Sequence, residues 1–421
     1  MVMGAPRTKK YQAIMAAYGA NHYKRSEGVV FQSGNGIYIR DVEGKIYIDA
    51  AAGYSSVNLG HNHPKICAAG RSLYATTASG WGMVNVVPNA FPTVAQAEFL
   101  EYSCKYLNAD RALPTNGGAE GIETAIKLMR KWGYSIKGIP IDRAMIVVCN
   151  GNFHGRTTTI VSFSSEEKYR RDFGPHANGF INIPFDDTAA LEKVLSENKQ
   201  IVGFLVEPIQ GEGGVVIPKA GYLKQCYDLC KKYNVIFCAD EIQTGLGRTG
   251  TLLGCSHDGV APDMFVLGKS LGAGRNAVSV VYAKNEYMCF ENGEHGSTYG
   301  GNASAMTLAL AALKIIEEEG LCKNSAEQGA YLLGLLKQGL RSEKVKKLVR
   351  CVRGRGLMIG IGLTKNTNAE HIISALLDHG VMTKDAHNVI RITPPLIITK
   401  AQCEELAMRI ILTFNDVAFF L

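Results

Sequence analysis

The sequence of 421 residues lacks several features that would place it in a specialised class of protein. No uninterrupted apolar run reaches the roughly 18 residues that a membrane-spanning helix needs. No Cys-x-x-Cys occurs, and the 11 cysteines are an odd number spread from Cys67 to Cys403. Neither a disulfide framework nor a metal site is therefore expected. This use of cysteine favours a reducing compartment, and we expect a cytoplasmic protein.

Strong charge of either sign is also missing. Lys and Arg number 45 against 38 Asp and Glu, which gives a net charge of +7, and charged residues make up only 20% of the chain. The basic residues are scattered, with dense runs only at 7–10 and 344–347, so a nucleic-acid-binding surface is not expected. Residues 1–26 contain no acidic residue. Such a composition is typical of an organelle transit peptide, but the stretch is short, and we favour the cytoplasm.

What the chain has in excess is glycine, at 46 of 421 residues. This is about 11%, against a usual value of roughly 7%. The glycines follow no collagen-like period and form no low-complexity tract. They therefore predict many tight turns and close backbone approaches in a large globular protein.

Short apolar runs alternate with helical patterns through the middle of the chain. The predicted strands cover 144–149, 201–206, 235–239 and 264–267. The predicted helices between them cover 118–132, 187–195 and 222–233. Apolar runs of this kind are typical of parallel strands that are buried on both faces. The alternation predicts an α/β fold with a mostly parallel central sheet.

The pattern changes near residue 302, where two long helical stretches at 303–318 and 326–340 precede strand-like runs at 347–352 and 357–363. This predicts a second, smaller α+β domain. We expect three parts: an N-terminal segment, 1–60, that packs with the small domain; a large α/β domain, 61–302; and the small domain, 303–421. A hairpin is expected within 36–49.

The most conspicuous glycine motif is Gly245-Leu-Gly247-Arg-Thr-Gly250. A dinucleotide-binding Gly-x-Gly-x-x-Gly joins a strand directly to a helix, and an acidic residue follows about 20 positions later. Here five residues separate the motif from its strand, a poor helix follows, and the next strand ends in Gly268-Lys269. A nicotinamide-dependent dehydrogenase is therefore disfavoured, although it remains an alternative from a different class.

Two neighbouring strand ends carry more informative residues. Asp240 ends one predicted strand and Lys269 follows the next. Ligands bind at the carboxyl ends of parallel strands. Taken alone, each residue could be an ordinary capping or exposed side chain. Together they suit an aldehyde cofactor that needs a Schiff-base lysine and an acid beside its pyridine nitrogen. The helix start at 115–123 would suit a phosphate group, and the segment 152–156 adds an aromatic ring and a guanidinium.

These segments resemble the class III aminotransferases, which are pyridoxal-phosphate-dependent enzymes of fold type I, and within them the ornithine branch. The resemblance runs in order from about residue 18 to the C-terminus. It rests on the motifs at Tyr54–His61, Asn116–Glu120, Asn152–Arg156, Glu207–Glu212, Asp240–Gly250, Leu267–Lys269, Gly293–Asn302 and Val389–Pro395.

The resemblance implies a role for each cofactor-binding position. Lys269 would bond to the cofactor aldehyde and transfer the proton, and Asp240 would pair with the pyridine nitrogen. Four further residues would bind other parts of pyridoxal 5'-phosphate: Gln243 the hydroxyl side of the ring, Phe153 the ring face, and Gly118 and Ala119 the phosphate. Thr298 would reach the phosphate from the other subunit of a homodimer. No metal is implied.

The resemblance also implies that the δ-amino group of L-ornithine passes to 2-oxoglutarate. The products are L-glutamate and glutamate 5-semialdehyde, which cyclises to pyrroline-5-carboxylate. Arg391 would bind the α-carboxylate of 2-oxoglutarate, and Glu212 would mask Arg391 while ornithine is bound. Arg156 would bind the far carboxylate of either substrate, and Tyr54 would fix the α-end of ornithine.

The sequence departs from the ornithine branch in two places. A second tyrosine of the branch corresponds to Pro92, after a stretch at 75–87 that is longer than usual, and Tyr74 or a residue of that loop could substitute for it. The turn 268–277 lacks a usual proline. Loss of the tyrosine keeps N-acetylornithine and 4-aminobutyrate open as amino donors. A catalytically inactive ligand-binding homologue is the remaining alternative.

Overall fold

Three β-sheets and the helices packed on them make up the computed structural model, which describes residues 6–419. Residues 1–5 of the acid-free N-terminal stretch lie outside the described residues. The strands are β1 Phe31–Asn35, β2 Tyr38–Asp41, β3 Ile46–Asp49, β4 Arg111–Thr115, β5 Met145–Cys149, β6 Phe180–Ile183, β7 Ile201–Val206, β8 Ile236–Asp240, β9 Met264–Leu267, β10 Ser279–Ala283, β11 Val349–Arg355, β12 Met358–Leu363, β13 Val381–Met382, β14 Lys384–Ala386 and β15 Val389–Ile392.

The helices vary widely in length. They are α1 Pro6–Tyr18, α2 Ala52–Ser55, α3 Pro64–Ser72, α4 Val94–Leu107, α5 Gly118–Ser135, α6 Thr158–Ser162, α7 Glu167–Arg170, α8 Thr188–Glu197, α9 Tyr222–Lys232, α10 Ala303–Glu318, α11 Leu321–Gly339, α12 Glu343–Lys346, α13 Ala369–Asp378 and α14 Lys400–Phe419. Among residues 6–419, every helix is too short or too polar to cross a membrane.

The central sheet has seven strands in the order β4-β10-β9-β8-β7-β5-β6. The pairs from β9 to β6 are parallel, whereas β10 runs antiparallel to both β4 and β9. Every residue of β7, β8 and β9 is buried, which explains their continuous apolar sequences. The predicted mostly parallel α/β fold is confirmed.

Two four-stranded sheets complete the fold. One has the order β11-β12-β15-β14 and is antiparallel, and the other has the order β1-β2-β3-β13. In the latter, β3 pairs in parallel with β13, so that Ile48 lies beside Val381. Strands from the two ends of the chain therefore share one sheet, while the domain boundaries at residues 60 and 302 stay a prediction.

The helix expected at 326–340 in fact begins at Leu321. Gly320 adopts a left-handed conformation immediately before it, with φ of 61°. The first turn contains polar residues that hide its helical pattern, although Leu321 and Ser325 are buried. Tertiary packing therefore sets this helix start where the local pattern is weak.

Helix α5 packs unusually close to the central sheet because two of its residues have no side chain. A Cβ atom added to Gly121 would lie 2.2 Å from Ser279 Oγ, and one added to Gly133 would lie 2.3 Å from Val202 Cγ1. These contacts hold α5 against β10 and β7. They also fix the N-terminus of α5 beside the carboxyl ends of the neighbouring strands.

We expect Gly121→Ala to lower the free energy of unfolding by about 1–3 kcal/mol, because a methyl group overpacks this contact. The matched control is Gly334→Ala in α11, where a Cβ atom would meet nothing within 4 Å. This control should gain about 0.5–1 kcal/mol from helix propensity. Urea unfolding of the two variants measures both changes. Equal effects would contradict the proposed packing constraint.

Candidate active site

A cavity of about 220 Å³ lies where the parallel strands end. Residues that follow β5, β7, β8 and β9 all reach it, and the N-terminus of α5 closes one side. The lining residues are Gly118, Ala119, Phe153, His154, Gly155, Glu207, Ile209, Asp240, Ile242, Gln243, Thr244 and Lys269. Six of the predicted site residues therefore share one cavity.

Asp240 is hydrogen-bonded to a buried histidine. His154 Nδ1 donates to Asp240 Oδ2 at 2.7 Å, and the backbone N–H of Ile242 donates to Asp240 Oδ1 at 3.1 Å. Burial alone would lower the pKa of His154, but the hydrogen bond and charge of Asp240 outweigh it and raise the pKa. The hydrogen bond from His154 also fixes the orientation of the Asp240 carboxyl group toward the cavity.

Glu207 is a second buried carboxyl group at the cavity wall. Its Oε2 accepts from the backbone N–H of Phe153 at 3.0 Å, and its Oε1 accepts from that of Gly211 at 3.4 Å. Burial raises the pKa of Glu207 to about 7, and His154 opposes this shift. Glu207 therefore links the segment that carries Phe153 to the loop that carries Glu212.

Lys269 occupies a strained backbone position at the end of β9. Its φ is 43°, in the left-handed region that lysine rarely adopts. Strain of this kind clusters at functional sites. Burial lowers the pKa of Lys269, and the charge of Arg391 lowers it further, whereas Glu212 and Asp240 oppose the shift. A lowered pKa favours the neutral amine, which is the nucleophilic form.

The N-terminus of α5 is arranged to receive an anion. Glu120 accepts hydrogen bonds from the backbone N–H groups of Asn116 and Gly117, at 2.9 and 3.4 Å. The N–H groups of the first helical turn have no partner within the helix, and the helix dipole favours negative charge there. Gly118 and Ala119 line the cavity at this point.

Gln243 and Ile242 pack closely between the cavity and its neighbouring loops. A Cβ atom on Gly211 would lie 1.7 Å from Gln243 Oε1, and one on Gly118 would lie 3.1 Å from Ile242 Cδ1. A side chain at position 211 would displace the Gln243 amide, and one at position 118 would require a small shift of Ile242. Within this four-residue stretch, Asp240, Ile242 and Gln243 all line the cavity.

Arg391, Glu212 and Tyr54 form a second cluster near Lys269. Arg391 Nη1 donates to Glu212 Oε1, and the Arg391 guanidinium lies 5.3 Å from the centre of the Tyr54 ring. Arg391 is buried, while Tyr54 is 42% exposed. The charges of Arg391 and Glu212 both act on the pKa of Lys269. The cluster therefore combines a fixed cation, its carboxylate partner and an accessible phenol.

Two further predicted residues lie outside both the cavity lining and the cluster of Arg391, Glu212 and Tyr54. Arg156 is exposed, and its guanidinium lies 4.4 Å from the centre of the Tyr169 ring and 5.7 Å from that of Phe153. Thr298 is exposed in a separate groove beside Val86. A Thr298 that serves the other subunit would lie away from the cavity of its own chain, but the homodimer stays a prediction.

The segment around Pro92 does not supply a replacement tyrosine to the cavity. Pro92 is exposed, and Tyr74 is 86% exposed and absent from the lining. The loop before Pro92 is anchored instead to the Thr298 segment, because Asn89 Nδ2 donates to the carbonyl of Ser297 at 2.6 Å.

Several lining residues were not predicted from the sequence, namely His154, Gly155, Glu207, Ile209, Ile242 and Thr244. His154 and Ile242 each lie within two residues of a predicted position. Motif spacing could have indicated them. Glu207 directly follows β7, and the strand-end argument applied to Asp240 also covers it. Within residues 6–419, no group of three or more His, Cys, Asp or Glu could hold a metal ion.

The cavity fits pyridoxal 5'-phosphate. It offers a lysine amine for the aldehyde, the carboxyl group of Asp240 for the ring nitrogen, an aromatic face and a helix N-terminus for the phosphate. His154 Nε2, on the far side of the imidazole from Asp240, is buried without a partner. The fold and site thus define a pyridoxal-phosphate-dependent enzyme.

Comparison with known proteins refines this class. The family described as aminotransferase class-III matches residues 18–414. The chain is 43% identical to the ornithine aminotransferase of Bacillus cereus (strain Q1), over 94% of this chain and 97% of that protein. The chain belongs to the class-III aminotransferases.

Solved structures agree with this assignment. The ornithine aminotransferase of Toxoplasma gondii ME49 superimposes with a TM-score of 0.94 at 36% identity, over 99% of this chain and 97% of that one. The acetylornithine aminotransferase of Elizabethkingia anophelis has a TM-score of 0.87 at 41% identity, over 97% of this chain and 99% of that one. Two solved structures of similar sequence identity to this chain are therefore named for different amino donors, ornithine and acetylornithine.

The raised pKa of Glu207 predicts a pH-dependent stability. Between the ordinary value of 4.5 and about 7, the folded protein holds a proton that the unfolded chain has released. The free energy of unfolding therefore falls as pH rises through this window. Glutamine cannot bind or release this proton. In Glu207→Gln we therefore expect the Tm of the cofactor-free protein to fall less as the pH rises through the same window.

Glu120→Gln is the control for this measurement. Burial alone would raise the pKa of Glu120, but hydrogen bonds from Ser297 and Asn116 outweigh it and lower the pKa. Glu120 therefore titrates below the window, and its variant should keep the wild-type slope. Identical slopes of Tm against pH in wild type and Glu207→Gln would show that Glu207 is ionised throughout.

Proposed function

We propose that this chain is an ornithine δ-aminotransferase that uses 2-oxoglutarate as amino acceptor. The observation that carries the proposal is the ion pair between buried Arg391 and Glu212, with the phenol of Tyr54 beside it. Such a pair can present either a cation or a neutralised surface to the ligand. This property is what two substrates with different charges at one end require.

The cofactor, when bound, stores the amino group between the two half-reactions and withdraws electrons from the reacting carbon. The protein supplies the acid–base groups around it. Asp240, oriented by its hydrogen bond with His154, would hold a proton on the ring nitrogen. Lys269 Nζ would act as the general base that takes the proton from the substrate carbon that carries the reacting amine. Phe153 would keep the ring in its plane, and Gly118 and Ala119 would hold the phosphate.

Charge selects the reacting end of each substrate. With Glu212 paired to it, Arg391 does not attract a carboxylate, so ornithine enters with its δ-ammonium toward Lys269. When Glu212 moves aside, Arg391 binds the α-carboxylate of 2-oxoglutarate through two parallel hydrogen bonds. Tyr54 would contact the α-end of ornithine, and Arg156 would attract the distant carboxylate of either substrate.

The assembly is also part of the proposal. A homodimer would bring Thr298 of one subunit to the phosphate of the other. This arrangement agrees with the exposure of Thr298 and with its absence from the cavity lining of its own chain. Exposed aromatic residues beside Thr298 support this, since Phe91 lines a groove with Thr298 and is 65% exposed, and the adjoining Tyr299 is 59% exposed. The absence of disulfides among the 11 cysteines suits the cytoplasm.

N-acetylornithine is the second candidate donor. The 41% identity to the Elizabethkingia anophelis protein and the exposed proline at position 92 both favour it. An acetylated α-amine carries no positive charge and needs no contact with the phenol oxygen of Tyr54. The two donors therefore differ in how strongly they depend on one hydroxyl group.

A panel of amino donors tests the assignment. With 2-oxoglutarate present, we expect ornithine to give trapped pyrroline-5-carboxylate with a higher kcat/KM than N-acetylornithine or 4-aminobutyrate. In Tyr54→Phe the ring beside Arg391 remains, but the hydroxyl is lost. We expect kcat/KM for ornithine to fall about 10- to 100-fold, the effect of losing a hydrogen bond to a charged group. N-acetylornithine serves as the internal control and should be unaffected. An unchanged value for ornithine would refute the assignment.

A further inference from the structure

Arg248, in the Gly245–Gly250 segment, does not line the cavity. Its side chain is nevertheless the largest that is fully buried among the described residues. Arg248 Nη1 donates to the carbonyls of Leu357 at 2.8 Å and Pro394 at 2.6 Å, and Nη2 donates to Asn58 Oδ1. One guanidinium therefore joins three segments that are far apart in the sequence. The backbone reinforces this junction, because Leu357 N donates to the Arg248 carbonyl at 3.1 Å.

The glycines of the motif permit this burial. Gly247 has φ of 89°, and a Cβ atom there would lie 2.9 Å from Leu396 Cδ1. Gly250 has φ of 96°, and a Cβ atom there would lie 3.0 Å from Ala326 Cβ. The motif that resembles a nucleotide-binding loop thus serves a close contact with the C-terminal part of the chain.

Each segment that Arg248 holds leads to a group in the substrate cluster. Asn58 lies four residues after Tyr54, and Pro394 lies three residues after Arg391. Leu357 precedes Met358, whose Cε would lie 3.2 Å from a Cβ atom on Gly211, next to Glu212. The segments that lead to Tyr54, Arg391 and Glu212, the residues proposed to bind the substrate, are therefore all connected to the buried Arg248 side chain.

The segment that carries Tyr54 needs external support. Ala52, Gly53, Tyr54 and Ser55 all have positive φ, between 44° and 69°. This run costs roughly 1–2 kcal/mol for each non-glycine residue. Surrounding contacts must therefore hold it, since an isolated chain would relax.

Those contacts come from the strand that carries Arg391 and from Asp49. Thr393 N donates to the Ala50 carbonyl at 2.7 Å, and Leu396 N donates to the Asn58 carbonyl at 2.7 Å. Asp49 Oδ1 accepts from Ala52 N at 2.7 Å. The Arg248 guanidinium connects the two sides of this arrangement, because it donates to both Asn58 and Pro394. Burial lowers its pKa to about 9, while the charge of Asp49 opposes the shift, so the guanidinium is charged at neutral pH.

We propose that Arg248 is a positioning residue that sets the distance between Tyr54 and Arg391, and thereby the affinity of the site for a dicarboxylate. This inference rests on the proposed function, which assigns both residues to substrate binding. Arg248 itself does not line the cofactor cavity. Its removal should therefore weaken substrate binding while the cofactor side, built on Asp240 and Lys269, stays intact.

The test compares Arg248→Lys with Lys137→Met in the holoenzyme. Lys137 is a matched control, because its Nζ also joins two segments, donating to the carbonyls of Ile201 and Asn234 at 2.6 Å each, but at the amino ends of β7 and β8. Glutarate is the probe, since it has two carboxylates but neither an amine nor a ketone, and calorimetric titration gives its Kd. Both variants should lower Tm and retain the visible cofactor absorption band.

We expect the Kd of glutarate to rise at least about tenfold in Arg248→Lys, which equals about 1.4 kcal/mol, and to stay within about twofold in Lys137→Met. An unchanged Kd in Arg248→Lys, or an equal rise in both variants, would overturn the proposal. So would a wild-type enzyme that does not bind glutarate. A wild type that binds glutarate but does not turn over ornithine would refute the proposed donor alone, and the comparison of variants would still stand.

Asn58→Ala provides a second variant if Arg248→Lys does not fold. It removes only the contact that leads toward Tyr54. We expect KM for ornithine to rise more than the Kd of glutarate, a separation that a general loss of stability would not produce. Equal changes in the two quantities would count against a positioning role.

Discussion

The ion pair between Arg391 and Glu212 is the contact on which the substrate side of the site depends. Arg391 is only 4% exposed, so its charge is costly without a partner. Arg391 is fixed within β15, whereas Glu212 lies in a loop between Gly211 and Gly213. If Glu212 moved aside, as the proposed function requires, a ligand carboxylate would replace it at little cost in buried charge. The same two charges act on the pKa of Lys269 in opposite directions, so a ligand that replaced Glu212 would also change the pKa of Lys269.

The rest of the fold brings this pair to the cofactor cavity. The parallel strands place Asp240 and Lys269 at adjacent ends, and close packing of α5 at Gly121 holds the proposed phosphate site beside them. Glu207 bridges the backbones of Phe153 and Gly211, so that it joins the ring side to the loop of Glu212. Arg248 performs the corresponding role for the segments of Tyr54 and Arg391. Two buried residues, Glu207 and Arg248, thus tie the parts of the site together.

Local patterns predicted those parts of the structure that depend on local chemistry. The continuous apolar runs of β7 and β9 marked both strands to the residue, and the strand-end rule placed Asp240 and Lys269 in one cavity. The contacts of His154 and Arg248 escaped prediction because their partners lie 86 and 109–190 residues away. The left-handed run at Ala52–Ser55 was also missed, since only one of its four residues is glycine. Long-range contacts, rather than propensity, determine these features.

Transfer of a labelled nitrogen tests the role of the ion pair most directly. Ornithine that carries ¹⁵N only at the δ position is reacted with 2-oxoglutarate, and the glutamate formed is analysed by mass spectrometry. Wild type should give labelled glutamate alone. Glu212→Gln leaves Arg391 unmasked to bind the α-carboxylate of ornithine, and it should give a mixture of labelled and unlabelled glutamate. Fully labelled glutamate from Glu212→Gln would contradict the account, because it would mean that the Arg391–Glu212 pair does not select the reacting amine.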